Sequence, residues 1–130
     1  MAIELNHTIV AAHDKQASAQ FLADILGLQV SPQYGPFMPV PIPNGVTLDY
    51  MDIETTEPIT PQHYAFLVSE DEFDKIFARI QAAGLTYWAD PSHRRVSEIN
   101  TNDGGRGTYF DDPNGHSMEI LTRPYGSGEG

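Results

Sequence analysis

The chain has no cysteine, a single tryptophan, and seven Lys or Arg against 18 Asp or Glu. Without cysteine there are no disulfides and no thiolate metal sites. A formal charge of −11 argues against nonspecific binding to DNA, RNA or an anionic membrane. It does not exclude an anionic small molecule, because Arg94, Arg95, Arg106 and Arg123 could form a local positive site. No apolar run approaches the roughly 20 residues of a membrane span. The N-terminal stretch lacks a basic region followed by an apolar one, so no secretory signal is read and cytoplasm is the expected compartment. What is present suits one globular domain: 130 residues, 40% of them hydrophobic. At that length roughly two thirds of the unfolded chain's surface is buried on folding.

The most informative stretch runs from Thr108 to Leu121 and reads strand, tight turn, strand. Asp112-Pro113-Asn114-Gly115 supplies the turn, since Pro presets a negative φ and Asn-Gly tolerates a positive one. The second strand sets Glu119 among apolar neighbours, where a carboxylate must be paired, protonated or metal-bound.

An earlier stretch repeats the pattern. Pro43-Asn44-Gly45 leads to Asp49 as Pro113-Asn114-Gly115 leads to Glu119. His7 and His63 each sit in a strand-like run, and each run leads into a helix-like segment that ends at Gly27 or Gly84. The offsets are 56 between the histidines, 57 between the glycines and 70 between the acids. The jump places an insertion of roughly a dozen residues around Ser92 to Gly105.

In chain order, Ile3 to Val10 is expected as a strand and Asp14 to Leu26 as a helix. Asp14 is its N-cap, and Ala17, Phe21 and Ile25 form its apolar stripe beside Leu22 and Leu26. Leu28 to Tyr34 is read as a short strand. Four prolines between Pro36 and Pro43 suit an edge strand or a loop, and Val46 to Ile53 is a strand. Glu54 to Pro61 links the halves. The second half opens with a strand from His63 to Val68. Ser69 and Glu72 then form a capping box ahead of Phe73, Ile76, Phe77 and Ile80, one helical face. Leu85 to Ala89 is a short strand, Asp90 to Gly105 a polar loop, and Arg106 to Asp111 and His116 to Thr122 the last strands. The expectation is one domain over residues 1–125, with modules at about 3–53 and 62–123 and a disordered tail over 126–130. Each half reads strand–helix–strand–strand–strand, giving two helices and about eight strands.

Alternate residues of a strand share a face. If the halves pair about a pseudo-twofold axis, His7, His63, Asp49 and Glu119 point at one centre. Two imidazoles and one carboxylate make a facial set suited to Fe(II) or Mn(II) with open positions for substrate. The fourth group, Asp49, either completes a fuller site suited to Ni(II), Co(II), Zn(II) or Mn(II), or binds substrate or moves a proton. The bland alternative is a hydrogen-bonded histidine and a solvent-facing acid in each half. The joint recurrence favours His7, His63 and Glu119 as ligands. His13 is read as a surface or capping residue, and His116 lies on the face opposite Glu119. His93 is on a loop, from which it could swing over a site as an acid or base.

Asn6-His7-Thr8, His63-Tyr64-Ala65 and the run from Tyr109 through Gly115 to Glu119 resemble the vicinal-oxygen-chelate superfamily over about residues 3–123. That superfamily contains glyoxalase I, extradiol dioxygenases, fosfomycin-resistance enzymes and bleomycin-resistance proteins. The resemblance implies an α+β fold of two βαβββ modules forming a cup-shaped mixed sheet of about eight strands around a divalent metal. It implies a small substrate chelating that metal through adjacent oxygens, and a homodimer. The extradiol branch matches His7, His63 and Glu119, and its tyrosine ten residues before the glutamate matches Tyr109, which would hydrogen-bond a substrate oxygen. The further histidine of that branch has no match between Ser97 and Thr108, so acid–base help would come from His93, Tyr109 or water. The glyoxalase order matches His7, Asp49, His63 and Glu119, with Asp49 one methylene short. Ring-cleaving dioxygenase chemistry is the first expectation and a lyase or isomerase the second. A binding protein without turnover, with Trp88, Tyr64, Phe66 or Phe110 lining the cup, is the third.

Overall fold

The structure, a computed structural model, describes residues 2–54 and 56–128. The chain divides into two compact units, Met1–Thr60 and Pro61–Gly130, which separate the two halves of the repeat.

The first unit contains β1 (His7–Ala12), α1 (Lys15–Leu26), β2 (Phe37–Pro41) and β3 (Thr47–Asp52). Its sheet has the order β1-β3-β2, with β1 parallel and β2 antiparallel to the central β3. Helix α1 starts where the sequence indicates: Asp14 Oδ1 accepts the Ala17 amide at 3.1 Å, and Gly27 ends the helix at φ 74°. Its buried stripe, however, is Ala19, Leu22, Ala23, Ile25 and Leu26, while Ala17 is exposed. Two apolar ridges compete on this helix, and the leucine-bearing one removes more area from water. The strand expected over Leu28 to Tyr34 is irregular chain. The Leu28 amide is spent on the helix end, bonding Ala23 O at 2.8 Å, and Tyr34 makes a single bridge to Phe37. The proline-rich β2 takes the sheet edge, where a missing N–H costs no ladder bond.

The second unit contains β4 (His63–Leu67), α2 (Glu70–Ala82), β5 (Tyr87–Trp88), a short 3₁₀ turn (Asn102–Gly104), β6 (Gly107–Asp111) and β7 (Ser117–Leu121). Its sheet has the order β4-β7-β6-β5, with β4 parallel to β7 and the other pairs antiparallel. Ser69 Oγ caps α2 by accepting the Glu72 amide at 3.1 Å. Phe73, Ile76 and Ile80 are buried. Phe77 meets the Tyr87 ring edge-on, with ring centroids 5.0 Å apart. Met118 and Ile120 of β7 and Phe110 of β6 are fully buried on the same side of the sheet.

The two units repeat each other in register. His7 opposes Thr47 and Ile9 opposes Asp49; His63 opposes Ser117 and Ala65 opposes Glu119. On the other flank of the acid, Pro39 opposes Asp49 and Tyr109 opposes Glu119. Each last hairpin turns on Pro-Asn-Gly, with Gly45 at φ 94° and Gly115 at φ 88°. The second turn is tied further by Asp112 Oδ1, which accepts the amides of Asn114 and His116, both at 2.8 Å. The extra length of the second module lies between the helix and this hairpin. Of the tail expected over 126–130, residues 129 and 130 lie outside the described residues. The amides of Gly126 and Gly128 donate to Asp103 Oδ2 and Oδ1 at 3.1 and 3.0 Å.

Candidate functional site

In the second unit, pairing across the sheet lines up Ala65, Glu119, Tyr109 and Trp88 in one row. His63, Ser117 and Asp111 form the next row on the same face. Tyr64, Phe66 and Phe110 point the other way, opposing the buried Met118 and Ile120. Phe110 is therefore a core residue, while Tyr64 and Phe66 are half-buried; of the four aromatic wall residues expected for a binding cup, Trp88 alone shares the face of Glu119.

His63 Nδ1 lies 3.1 Å from the carbonyl oxygen of Ser117. A carbonyl only accepts, so Nδ1 carries the proton and donates it. Nε2 is left to face Glu119 Oε1 at 3.0 Å. A neutral imidazole with this tautomer puts a lone pair opposite a carboxylate, an arrangement that a proton or a metal cation must relieve. A ring nitrogen fixed by a backbone carbonyl is also the usual support of a histidine ligand. Tyr109 stacks on the His63 ring at 5.8 Å between centroids. Burial first, then the Glu119 charge and a hydrogen bond to it, push the Tyr109 phenol up to about 12. Tyr109 is thus a persistent proton donor. Ser117 Oγ, on the same face, is buried with no hydrogen-bond partner.

In the first unit, His7 and Asp49 line an open pocket of about 500 Å³ with Asn6, Tyr34, Phe37 and Pro39. His7 Nδ1 lies 2.7 Å from Asn6 Oδ1. Both histidines therefore have Nδ1 held by an oxygen and Nε2 available as a donor. Among the described residues, no ion pair joins Asp49 to His7, and no group of three or more His, Asp or Glu gathers that could hold a metal. By itself the second unit assembles a two-donor pair, His63 and Glu119. The donor chemistry, imidazole nitrogen and carboxylate oxygen, fits a divalent transition metal.

His93 stacks flat on Trp88, with centroids 3.6 Å apart and planes 6° from parallel. Its Nε2 is 3.5 Å from Asp111 Oδ1. Sequence reading singled out His93 but not Asp111; the available signal was its position two residues after Tyr109, on the same strand face. Arg106 is withdrawn from the suggested positive site. It pairs with Glu70 at 2.8 Å and Asp74 at 2.9 Å and lies 4.4 Å over the Phe73 ring. Arg95 pairs with Glu98 at 3.2 Å. His116 is fully buried and accepts the Gln62 amide through Nδ1 at 3.0 Å, a structural role. His13 is exposed.

The family model described as the Glyoxalase/Bleomycin resistance protein/Dioxygenase superfamily matches residues 4–120. The glutathione transferase FosA of Serratia marcescens is 31% identical over 132 residues, covering 92% of this chain and 81% of that protein. The solved structure named oxidase ChaP-H2 superposes with a TM-score of 0.95 at 77% identity, covering 99% of this chain and 100% of that one. Oxidase ChaP-H1 superposes with a TM-score of 0.92 at 64% identity, covering 96% and 99%. No described helix is long and apolar enough to cross a membrane.

Proposed function

Because the chain belongs to the glyoxalase/bleomycin resistance protein/dioxygenase superfamily, we propose that it is a metal-dependent oxidative enzyme whose small substrate offers two adjacent oxygens. His7, His63 and Glu119 are the proposed ligands, with Fe(II) or Mn(II) as the metal. The observation that carries this reading is the placement of the His63 ring, with Nδ1 3.1 Å from the Ser117 carbonyl oxygen and Nε2 3.0 Å from the Glu119 carboxylate. The 77% identity to a protein named an oxidase supports the oxidative branch, and ring-cleaving dioxygenase chemistry is the form proposed. A cation bound there would act as a Lewis acid on the substrate oxygens.

The chain's own residues supply the rest. The Ser117 carbonyl holds the His63 ring in orientation. Tyr109, protonated across the physiological range, donates a hydrogen bond to a substrate oxygen. Trp88 forms an aromatic wall beside it. Exposed apolar residues, Ile9 and Leu67, lie on the strand faces that carry His7 and His63, which supports a homodimer as the working form. Cytoplasm remains the proposed compartment.

A second reading is favoured by the register. Asp49 holds the place in the first ladder that Glu119 holds in the second. In a lyase or isomerase, Asp49 would serve as a fourth ligand or as the base that moves a proton. Ni(II), Co(II) or Zn(II) would then be the active metals. Elemental mass spectrometry of purified protein, with oxygen uptake on a panel of catechols, separates the readings. Iron or manganese with uptake supports the first. Nickel, cobalt or zinc with proton exchange in the absence of oxygen supports the second. No metal after anaerobic reconstitution overturns both.

A further inference from the structure

We infer that Asp111, His93 and Trp88 form a proton-transfer assembly on the face that carries Tyr109 and Glu119, with His93 as the acid–base group and Asp111 as its positioning residue. This rests on the proposed function for its substrate, but its geometry is independent of any metal.

Three constraints fix His93. Its backbone is left-handed at φ 60°, which is strained for a residue with a Cβ. The loop is held in that shape by Asp90, whose Oδ1 accepts the Arg94 amide at 3.0 Å and the Arg95 amide at 2.7 Å. The Ala89 amide closes it onto Arg95 O at 3.0 Å. The ring then lies flat on Trp88. Nε2 lies 3.5 Å from Asp111 Oδ1. Strain of this kind persists only where the surroundings enforce it.

The location gives the arrangement its use. Trp88 is the cross-strand neighbour of Tyr109, and Asp111 follows Tyr109 by two on β6. All three share the face of Glu119. Directly opposite Asp111 stands Ser117, whose buried hydroxyl lacks a partner. Burial lifts the Asp111 carboxyl above its usual range against the pull of His93, and Asp112 adds to the rise. The charged groups around His93 are Asp111 on β6 and Asp90, Arg94 and Arg95 on its own loop.

In the proposed step the neutral ring carries its proton on Nε2, the nitrogen nearer Asp111, and keeps the lone pair on Nδ1. A substrate hydroxyl transfers its proton to Nδ1: the O–H bond breaks, the N–H bond forms, and the imidazolium is stabilised by the Asp111 carboxylate. The proton returns to product or solvent, so no oxidant is consumed in this step. The assembly suits a phenol or enol with an ionisable hydroxyl, not a simple ether.

Because Trp88 is the sole tryptophan, its fluorescence reports on the ring stacked against it. An imidazolium in contact with indole quenches more than a neutral imidazole. In wild-type protein the emission should fall through one transition as the ring gains its proton. His93→Gln should abolish the transition, and Asp111→Asn should move it to lower pH by about one unit. Persistence in His93→Gln, or no movement in Asp111→Asn, overturns the assembly. Circular dichroism melting confirms that both variants fold. The second arm uses 4-nitrocatechol, whose colour reports its ionisation, on metal-loaded protein. His93→Gln should raise the pH at which the bound probe ionises by about one unit, with its Kd within about threefold of wild type. Identical ionisation in both proteins overturns the proton-transfer role. A protein that takes up neither metal nor probe overturns the metal reading and, with it, the catalytic use of the dyad; the fluorescence titration, which needs neither, tells this apart from failure of the dyad itself.

Discussion

His63 and Glu119 occupy neighbouring parallel strands, and their Nε2 and Oε1 atoms lie 3.0 Å apart although the two residues are not directly opposed: Ala65 faces Glu119. The diagonal offset lets the imidazole reach across the ladder while its Nδ1 stays on the Ser117 carbonyl. Truncating His63 or neutralising Glu119 weakens the donor pair of the second module. His63→Ala and Glu119→Gln should each lower metal retention by at least the roughly 10–100-fold typical of weakened supporting groups. Elemental mass spectrometry after gel filtration measures this, and full retention in either variant would reject that residue as a ligand.

Tyr109 gives a pH dependence whose sign is fixed. Its folded pKa, about 12, stands above the unfolded value of 10.0. Its contribution to stability is complete below pH 10 and is lost as pH rises toward about 12. Tyr109→Phe should therefore flatten the alkaline fall in Tm across that window. Flattening is partial, because burial and Asp112 also raise Tyr64. An alkaline limb unchanged in Tyr109→Phe would contradict the assignment.

Asp90 should act in the opposite direction. Amide donors, the Arg95 amide first, hold its carboxyl below the ordinary 3.8. Its support of the loop is present above that value and fades as pH falls through the folded pKa. Asp90→Ala should speed hydrogen exchange of the Arg94 and Arg95 amides at neutral pH, and wild type should show the same loosening only in acid. Equal exchange in the two proteins at neutral pH would mean that the loop holds without its cap.

The two faces of the second sheet should respond differently to truncation. Phe110→Ala removes a fully buried ring and should cost about 3–5 kcal/mol. Leu67→Ala, at a position 60% exposed, should change the stability of the isolated chain by less than about 0.5 kcal/mol. Urea denaturation at low protein concentration measures both. A large loss for Leu67→Ala that grows with protein concentration would show that a second copy covers this face.

Much of this arrangement was legible in the sequence because it depends on local rules. Asp14 and Ser69 cap the two helices as their residue types indicate, and the Pro-Asn-Gly turns fall where the glycines require a positive φ. Strand alternation was enough to put Glu119 and His116 on opposite faces. Long-range competition was less legible. Nothing local says that the leucine ridge of α1 would bury in place of the one through Ala17, or that Leu28 to Tyr34 would lose its ladder bonds to the helix end. Arg106 was read as free charge because its partners, Glu70 and Asp74, lie more than 30 residues away. The Trp88–His93 stack depends on a left-handed backbone at His93, whose place in the loop no local pattern marks.

The match between the two ladders has a consequence for engineering. From the start of the next-to-last strand to the acid is 12 positions in both modules, Phe37 to Asp49 and Gly107 to Glu119. From the helix-ending glycine to that strand is 10 positions in one module and 23 in the other, Gly27 to Phe37 and Gly84 to Gly107. All the variation is upstream of the hairpin, where it cannot shift the pairing that sets Glu119 opposite Ala65. The stretch from Ala89 to Arg106 is in effect a cartridge: its replacement would exchange His93, Arg94 and Arg95 while the donor pair keeps its spacing. Grafts between relatives at these two joints should yield altered substrate ranges on an unaltered metal affinity.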